Sequence, residues 1–396
     1  MQVTAAQGCC PGIGLISSEG ELWRIQRRFA LATLRDFGIG RPIMEPKIRD
    51  EAQYLLDAMK AQRGRAFDPS ALINSAVANV ICALVFGRRF EYNDEKFKKL
   101  LCNRTTGSDV SFLTPHLLSS RVARIMALVP QAKEFSKQAE EMANFVQQEI
   151  HATMHDFDPT VDDPTNYVQA FFQAKLNRTE NWTFTDQQLL TSVKDLFIAG
   201  TDTTATTLQW AIFYLAHFPE WQEKVYDEIQ TQTENCMPAY SDRTKLPLTE
   251  AAIMETQRMA NLLPFGVRRR TMVDTELNGY NIPKDTVVVP LLTAVMRDPI
   301  VYPNPDKFDP SRFINTHKGE KSAELAHFVP FQAGKRICLG ESLAKMELFI
   351  VFTAFIYYFE FKFSSFEPVP NIVDEKLSFI RAPPRYKIHA LHRHEQ

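Results

Sequence analysis

The chain has 396 residues, 45% hydrophobic and 23% charged, with a net charge of −2. That balance suits a packed globular core rather than disorder. With Lys and Arg spread along the sequence, it gives no electrostatic support for a nucleic-acid partner. The six cysteines, Cys9, Cys10, Cys82, Cys102, Cys236 and Cys338, lack the spacing of a disulfide framework, and no secretory signal precedes them, so a reducing compartment is expected. No linker, repeat or low-complexity tract divides the chain, and one domain over 1–396 is expected. Asn103, Asn177 and Asn181 head glycosylation triplets, but so short a motif recurs by chance and none is taken as a site.

In chain order, the first informative stretch is Gly20-Glu21-Leu22-Trp23-Arg24-Ile25-Gln26-Arg27-Arg28-Phe29. Trp23 and Arg27 stand four apart on one helical face, where an indole and a guanidinium can reach one anionic group. The plain alternative is a basic amphipathic helix with a snorkelling arginine. Arg24 and Arg28 lie on the neighbouring face, available to an acidic partner. Over 45–90 the apolar positions Leu72, Ala76, Val80, Ala83 and Leu84 recur at helical spacing, and Phe86-Gly87 ends the second helix. Helices continue through 96–156 with a loop over 108–115, and 179–183 forms a polar connection.

Thr185-Asp186-Gln187-Gln188 reads as a capping box, and the helix it opens meets no proline before Pro219. About thirty residues give roughly 45 Å. Ala199-Gly200-Thr201-Asp202-Thr203-Thr204 near its middle is poor in helix formers. A threonine hydroxyl diverted there can open a groove for a small ligand; a kink with a solvated aspartate is the plain alternative. Pro219 opens a further helix with a charged face. Glu255 and Arg258 follow at i, i+3 on a helix ending before Pro264, a spacing that is most often a weak surface pair. Arg312 comes later in the proline-fixed turn Phe308-Asp309-Pro310-Ser311-Arg312-Phe313.

The stretch 276–290 reads as short strands around Gly279-Tyr280. In the loop 331–340, Gly334 and Gly340 bracket Cys338, and the helix from Glu341 points its N-terminal N–H groups back at the sulfur, a setting that favours a thiolate metal ligand. A lone cysteine is otherwise a small buried hydrophobe. Arg336 is placed to reach a cofactor carboxylate and Phe331 to shield the sulfur. The apolar run 348–359 is too short to span a bilayer and reads as a buried helix. From Phe359 onward a terminal β-hairpin is expected, with His389, His392 and His394 in a solvated tail.

Phe331-x-x-Gly334-x-Arg336-x-Cys338-x-Gly340 resembles the haem-binding loop of the cytochrome P450 superfamily at all its fixed positions. Trp23-x-x-x-Arg27 resembles that family's C-helix, 199–204 its oxygen-binding I-helix groove, and Glu255-x-x-Arg258 with Arg312 its buried triad. The resemblance runs over 12–388. Phe29, Arg65-Ala-Phe-Asp-Pro, Val85-Phe-Gly-Arg-Arg-Phe and Gly340-Glu341 look most like the animal microsomal family two branch.

The resemblance implies a mainly α fold, the helical P450 prism with a minor β part, and haem b between the long helix and the Cys338 loop. It implies Cys338 as the iron's axial thiolate, Trp23, Arg27, Arg336 and Arg269 as propionate partners, and Phe331 and Gly340 in the cofactor site. The branch often has histidine at the Arg269 position. Asp202 and Thr203 would manage protons. Phe197, Ala199, Leu262, Leu263, Phe265 and Phe379 would line an apolar substrate pocket.

The implied activity is insertion of one atom of O2 into a small lipophilic substrate, such as a xenobiotic, a fatty acid or other organic acid, or a steroid-like molecule. Electrons would come from NADPH through NADPH-cytochrome P450 reductase, with cytochrome b5 as a further partner, at the cytoplasmic face of the endoplasmic reticulum. Two rivals stand beside it. A haem-thiolate isomerase or dehydratase tends to lack the acid and alcohol pair. A truncated haem-binding relic is the other, because the chain opens shortly before the C-helix-like motif; the family's anchor, early helices and most main-sheet strands are expected to be missing, leaving the chain cytoplasmic or peripheral.

Overall fold

The computed structural model describes residues 12–107, 130–177, 181–234, 236–314, 322–365, 368–372 and 379–394. Its longer helices are α1 (Gly20–Asp36), α2 (Glu45–Lys60), α3 (Ser70–Val85), α4 (Glu95–Gly107), α5 (Pro130–Met154), α6 (Tyr167–Asn177), α7 (Asp186–His217), α8 (Pro219–Gln232) and α9 (Pro247–Ala260). Short α10 (Leu292–Met296), α11 (Ser311–Ile314) and α12 (Ala323–His327) precede α13 (Glu341–Tyr358). The mainly helical class expected from the sequence holds. The loop expected over 108–115 lies outside the described residues.

Helix α7 is the spine. Thr185 caps it, its side chain accepting from the Gln188 N–H at 3.1 Å. The other half of the expected capping box does not form, because the Gln188 side chain is used elsewhere. The glycine at its middle has a packing role: a Cβ on Gly200 would stand 2.4 Å from Ile81 Cδ1, so its absence lets α3 approach α7 closely. The helix runs unbroken through 199–204, and Thr203 Oγ1 donates back to the Ala199 carbonyl at 2.7 Å. From α7 and α13 a core of Trp210, Phe213, Tyr214, Phe349, Phe352 and Phe355 extends into α2 and α3 as one contiguous apolar cluster.

The β part consists of antiparallel pairs. Strands β1 (Arg269–Arg270) and β4 (Val287–Val288) pair, as do β2 (Thr275–Leu277) and β3 (Tyr280–Ile282). Asn278 and Gly279 both take positive φ in the β2–β3 turn, as a tight hairpin demands. At the C-terminal end β5 (Phe359–Phe363) pairs with β6 (Ile388–His392), joined by a long connection rather than a hairpin turn. Phe359 and Phe361 point inward while Glu360 and Lys362 alternate outward, the period of a half-buried strand. The histidines are not a solvated tail. His389 and His392 belong to β6, the His389 ring bonds the Gly64 carbonyl at 2.8 Å, and His394 bonds the Tyr357 carbonyl at 2.9 Å. Among the described residues no helix is long and apolar enough to cross a membrane.

A strap ahead of α1 is fastened to α7. Gln188 clasps Gly14 from both sides, accepting from its N–H at 2.9 Å and donating to its carbonyl at 3.2 Å. Two turns along the helix face, Asp195 Oδ2 accepts the Leu15 and Ile16 N–H groups at 2.7 and 2.9 Å. Gly14 is required here: its φ is +88° and a Cβ would come within 2.4 Å of the Asp195 carboxylate. Burial pushes the Asp195 carboxyl up to about 6, against the pull of the two N–H groups and Lys194.

The sign of the linkage follows. A carboxyl whose folded pKa exceeds its unfolded value makes stability fall as pH rises from 3.8 to about 6. That is about 3 kcal/mol at 1.36 kcal/mol per unit. Asp195→Asn should keep both N–H bonds, because one oxygen accepts both, and should flatten this part of the pH–stability curve. Asp195→Leu should cost about 1–3 kcal/mol for each stranded N–H. Denaturant melts at several pH values check both; an Asn variant with the parent's slope would contradict the account.

Candidate functional site

The cysteine loop is built by two backbone closures. Cys338 N–H donates to the Phe331 carbonyl and Ile337 N–H to the Gly334 carbonyl, both at 3.0 Å. Gln332 and Gly334 supply positive φ at 62° and 80°. Gly340 does not share that role: its φ is −91° and a Cβ would meet nothing within 4 Å, so the tight-turn argument for glycine holds only at Gly334.

Helix α13 starts at once behind the loop, and the Gly340 and Glu341 N–H groups bond the Cys338 sulfur, pulling its thiol pKa down. Burial by the surrounding protein outweighs them and pushes it up, with Glu341 adding to the rise and Arg27 opposing it. Loop and helix thus pull toward the thiolate as expected, with burial acting against them. The side chain is nonetheless reached by solvent. Protein surrounds the sulfur on most sides and leaves one side open to solvent.

Around this sulfur stand guanidinium groups from three distant segments. Arg27, from α1, donates to the Ile337 carbonyl at 2.6 Å. Arg336 lies 3.9 Å from the Trp23 ring centroid and donates to the Ser18 carbonyl at 2.8 Å. Arg269, in β1, donates to the Val267 carbonyl at 2.9 Å and to Gln332 Oε1 at 2.7 Å. They repel one another: burial and then Arg269 and Arg27 bring Arg336 down to about 10, and burial and then Arg27 lower Arg269. Beside them the Trp23 indole Nε1 is buried without a hydrogen-bond partner. Phe331 is half-buried, with the Lys345 ammonium 5.6 Å from its ring. Arg24 pairs with Glu21 on its own helix at 2.5 Å.

Cationic charge, an orphaned indole N–H and an accessible cysteine therefore face one region, held there by neutral carbonyls that satisfy geometry without neutralising charge. A planar dicarboxylate cofactor with a metal at its centre fits this donor set: anions for the arginines and the indole, iron for the sulfur. The model for the family described as "Cytochrome P450" matches residues 2–390. The chain belongs to the cytochrome P450 family.

Among its relatives, cytochrome P450 2J3 of Rattus norvegicus is 40% identical over 354 residues, covering 88% of this chain and 69% of that protein. Cytochrome P450 2J2 of Homo sapiens is 39% identical over 376 residues, 92% of this chain and 71% of its own length. Cytochrome P450 2B19 of Mus musculus is 36% identical over 397 residues, with 96% and 78% coverage. As a member of the P450 family, the protein is a haem-thiolate monooxygenase, with haem iron bound by a cysteine thiolate.

On α7, Asp202 and Thr203 are half-buried, and Ala199, a turn earlier, is exposed. Leu262, Leu263, Phe265 and Phe379 each keep partial exposure. The Arg381 N–H bonds the Leu262 carbonyl at 2.9 Å, which brings the Phe379 segment beside the end of α9. Phe197 is different: it is wholly buried in the apolar core, so it presents no surface to a substrate.

Glu255 and Arg258 are completely buried, joined by two hydrogen bonds at 2.7 and 2.9 Å. Arg312 Nε stands 3.4 Å from Glu255, and the Asp309 N–H donates to the same carboxylate at 2.9 Å. Arg258 also donates to the Met296 and Pro305 carbonyls at 3.1 and 2.8 Å. Burial pushes the Glu255 carboxyl up while Arg258, the Asp309 N–H and Arg312 pull it down.

Sequence reading missed Gln332, which holds Arg269, and Ser18, whose carbonyl holds Arg336. A weak signal existed for Gln332 alone, a position inside the motif. Removing the Glu255 carboxylate strands a buried guanidinium, so Glu255→Ala should cost about 3–5 kcal/mol, against under about 1 kcal/mol for an exposed pair. Thermal melting and soluble yield of the variant decide between the two.

Proposed function

We propose that this monooxygenase inserts one oxygen atom from O2 into a small lipophilic molecule, with electrons from NADPH passed on by a flavoprotein reductase. The observation that carries this reading is the convergence of Arg27, Arg269, Arg336 and the orphaned Trp23 Nε1 beside an accessible Cys338. In it, Trp23, Arg27, Arg336 and Arg269 would hold the haem carboxylates, Phe331 and Gly340 would border the cofactor, and Cys338 Sγ would bind the iron. Bound haem supplies the iron at which O2 is activated.

The chain's own residues do the rest. Thr203 Oγ1 holds a proton near the reacting oxygen, and the half-exposed Asp202 carboxyl passes protons to it from water. Ala199, Leu262, Leu263, Phe265 and Phe379 shape the apolar wall that excludes water and binds substrate. Glu255, Arg258 and Arg312 brace the framework behind the cysteine loop. The whole chain acts as one catalytic unit. Likeness to family two relatives supports the cytoplasmic face of the endoplasmic reticulum as its location, NADPH-cytochrome P450 reductase as electron donor, and cytochrome b5 as an auxiliary partner.

The carbon monoxide complex of the reduced protein tests the ligand. The parent should absorb as a thiolate complex and Cys338→His as an imidazole complex; Cys338→Ala with an unchanged spectrum would overturn the assignment. Thr203→Ala should keep full haem content while product per NADPH consumed falls on the order of a hundredfold. Unchanged coupling would remove Thr203 from proton delivery.

A further inference from the structure

The segment that follows Phe379 is sewn to α7 at neighbouring residues. Trp210 Nε1 donates to the Arg381 carbonyl at 2.9 Å, and Tyr386 OH donates to the Gln209 carbonyl at 2.7 Å. From there the Arg381 side chain crosses to the end of α9, and the residue is only 7% exposed. Its Nη1 uses both protons on that helix's last turn, donating to the Met259 carbonyl at 2.6 Å and to the Ala260 carbonyl at 3.1 Å. Its backbone N–H holds the Leu262 carbonyl at 2.9 Å, and its guanidinium carbon stands 5.4 Å from the Trp210 ring centroid.

A helix leaves its last carbonyls without intrahelical partners, and its C-terminal end favours a cation. In α9 the Asn261 N–H caps the Gln257 carbonyl, with Asn261 in the left-handed region at φ 41°. The carbonyls of Met259 and Ala260 are met by Arg381, which lies 122 residues beyond Met259 in the chain. Arg297 Nη2 joins it on the Met259 carbonyl at 3.3 Å. Burial, reinforced by Arg297 and opposed by Tyr214 and Asp306, brings Arg381 down to about 10, so it stays cationic at neutral pH.

On the reading of the substrate pocket given above, we propose that Arg381 is a positioning residue that sets the spacing between two of its walls, Phe379 on one side and Leu262, Leu263 and Phe265 on the other. Phe379 lies two residues before Arg381, and Leu262 accepts the Arg381 N–H directly. Drawing the walls apart would strand a buried guanidinium, a costly state. The gap is therefore fixed at this end, and it selects substrates by size. These contacts are with α7 and the end of α9, not with the cysteine loop, so removing the side chain should loosen the pocket and leave the haem site intact.

The experiments use the full chain with its haem and a homologous series of n-alkylbenzenes, neutral probes on which the lost charge acts only through position. For the member the parent prefers, Arg381→Met should raise KM on the order of tenfold, because side chains ordered by the fold must then be ordered by the substrate. Turnover at saturation should change little, and oxygen should enter at more carbon positions. Arg381→Lys, whose ammonium can serve both carbonyls, should restore most of the affinity. Unchanged KM and product pattern in the methionine variant, or a loss that lysine does not restore, would overturn the proposal. Arg381→Gln, with an amide donor for one carbonyl, carries the same readouts where the methionine variant does not fold.

Hydrogen exchange tests the spacing without any substrate. Arg381→Met should speed exchange at 262–265 and 379–382 together; faster exchange confined to the last turn of α9 would show a simple helix cap and overturn the proposal. Failure of the monooxygenase reading shows separately, as a parent whose reduced carbon monoxide complex lacks the thiolate spectrum.

Discussion

The crowding of Arg27, Arg269 and Arg336 is the interaction on which the rest of the site depends. Like charges brought together in a partly desolvated place repel, and the pKa values of Arg336 and Arg269 are depressed by burial first and by that repulsion second. Among the described residues none of the three is ion-paired with a carboxylate. Each is instead pinned by a neutral acceptor: the Ile337, Val267 and Ser18 carbonyls, with Gln332 assisting Arg269. The protein thus fixes where the charges point before any anion arrives, and the anion that arrives relieves repulsion instead of competing with an existing partner. This is preorganisation in the sense that matters for affinity, because the ordering cost lies in the fold and not in the binding step.

The pinning couples segments far apart in the chain. Ser18 ends the strap that Gln188 and Asp195 fasten to α7, so the helix carrying Asp202 and Thr203 is linked through a few backbone groups to the guanidinium stacked on Trp23. Glu19, the next residue, pairs with Arg270 at 2.6 Å, adjacent to Arg269. The long helix and the cysteine loop are therefore braced against each other at the rim as well as through the core.

What the sequence made legible was local. The cysteine loop, the Trp23 and Arg27 pair, the Glu255 and Arg258 pair and the long helix are each defined by spacing within a few turns, and spacing survives into three dimensions because helix and turn geometry are fixed. Family membership and the mainly helical class were readable for the same reason. The strap was not, because Gln188 lies 174 residues from Gly14 and nothing in either segment names the other. Gly200 read as a weak point in its helix, whereas its missing Cβ makes room for Ile81. Phe197 read as pocket lining because of its neighbours in the motif, yet its side of the helix faces the core. The direction of a side chain on a helix buried on several sides cannot be taken from a short motif.

Helix α13 shows how one element can serve both ends of the molecule. Its N-terminus gives the Gly340 and Glu341 N–H groups to Cys338, so its register must be held to well under an ångström. Its body is almost wholly buried from Leu343 to Tyr357 against α2, α7 and α8. A helix packed all round by large side chains resists sliding, since interiors are as dense as organic crystals and a shift forces clashes on every face. Such packing explains why Glu347 is tolerated. A lone buried carboxyl costs stability, but its position is dictated by a helix that cannot turn to expose it. Burial pushes the Glu347 carboxyl well above the usual range, and the burial that immobilises Glu347 is the same burial that holds the ligand loop in place.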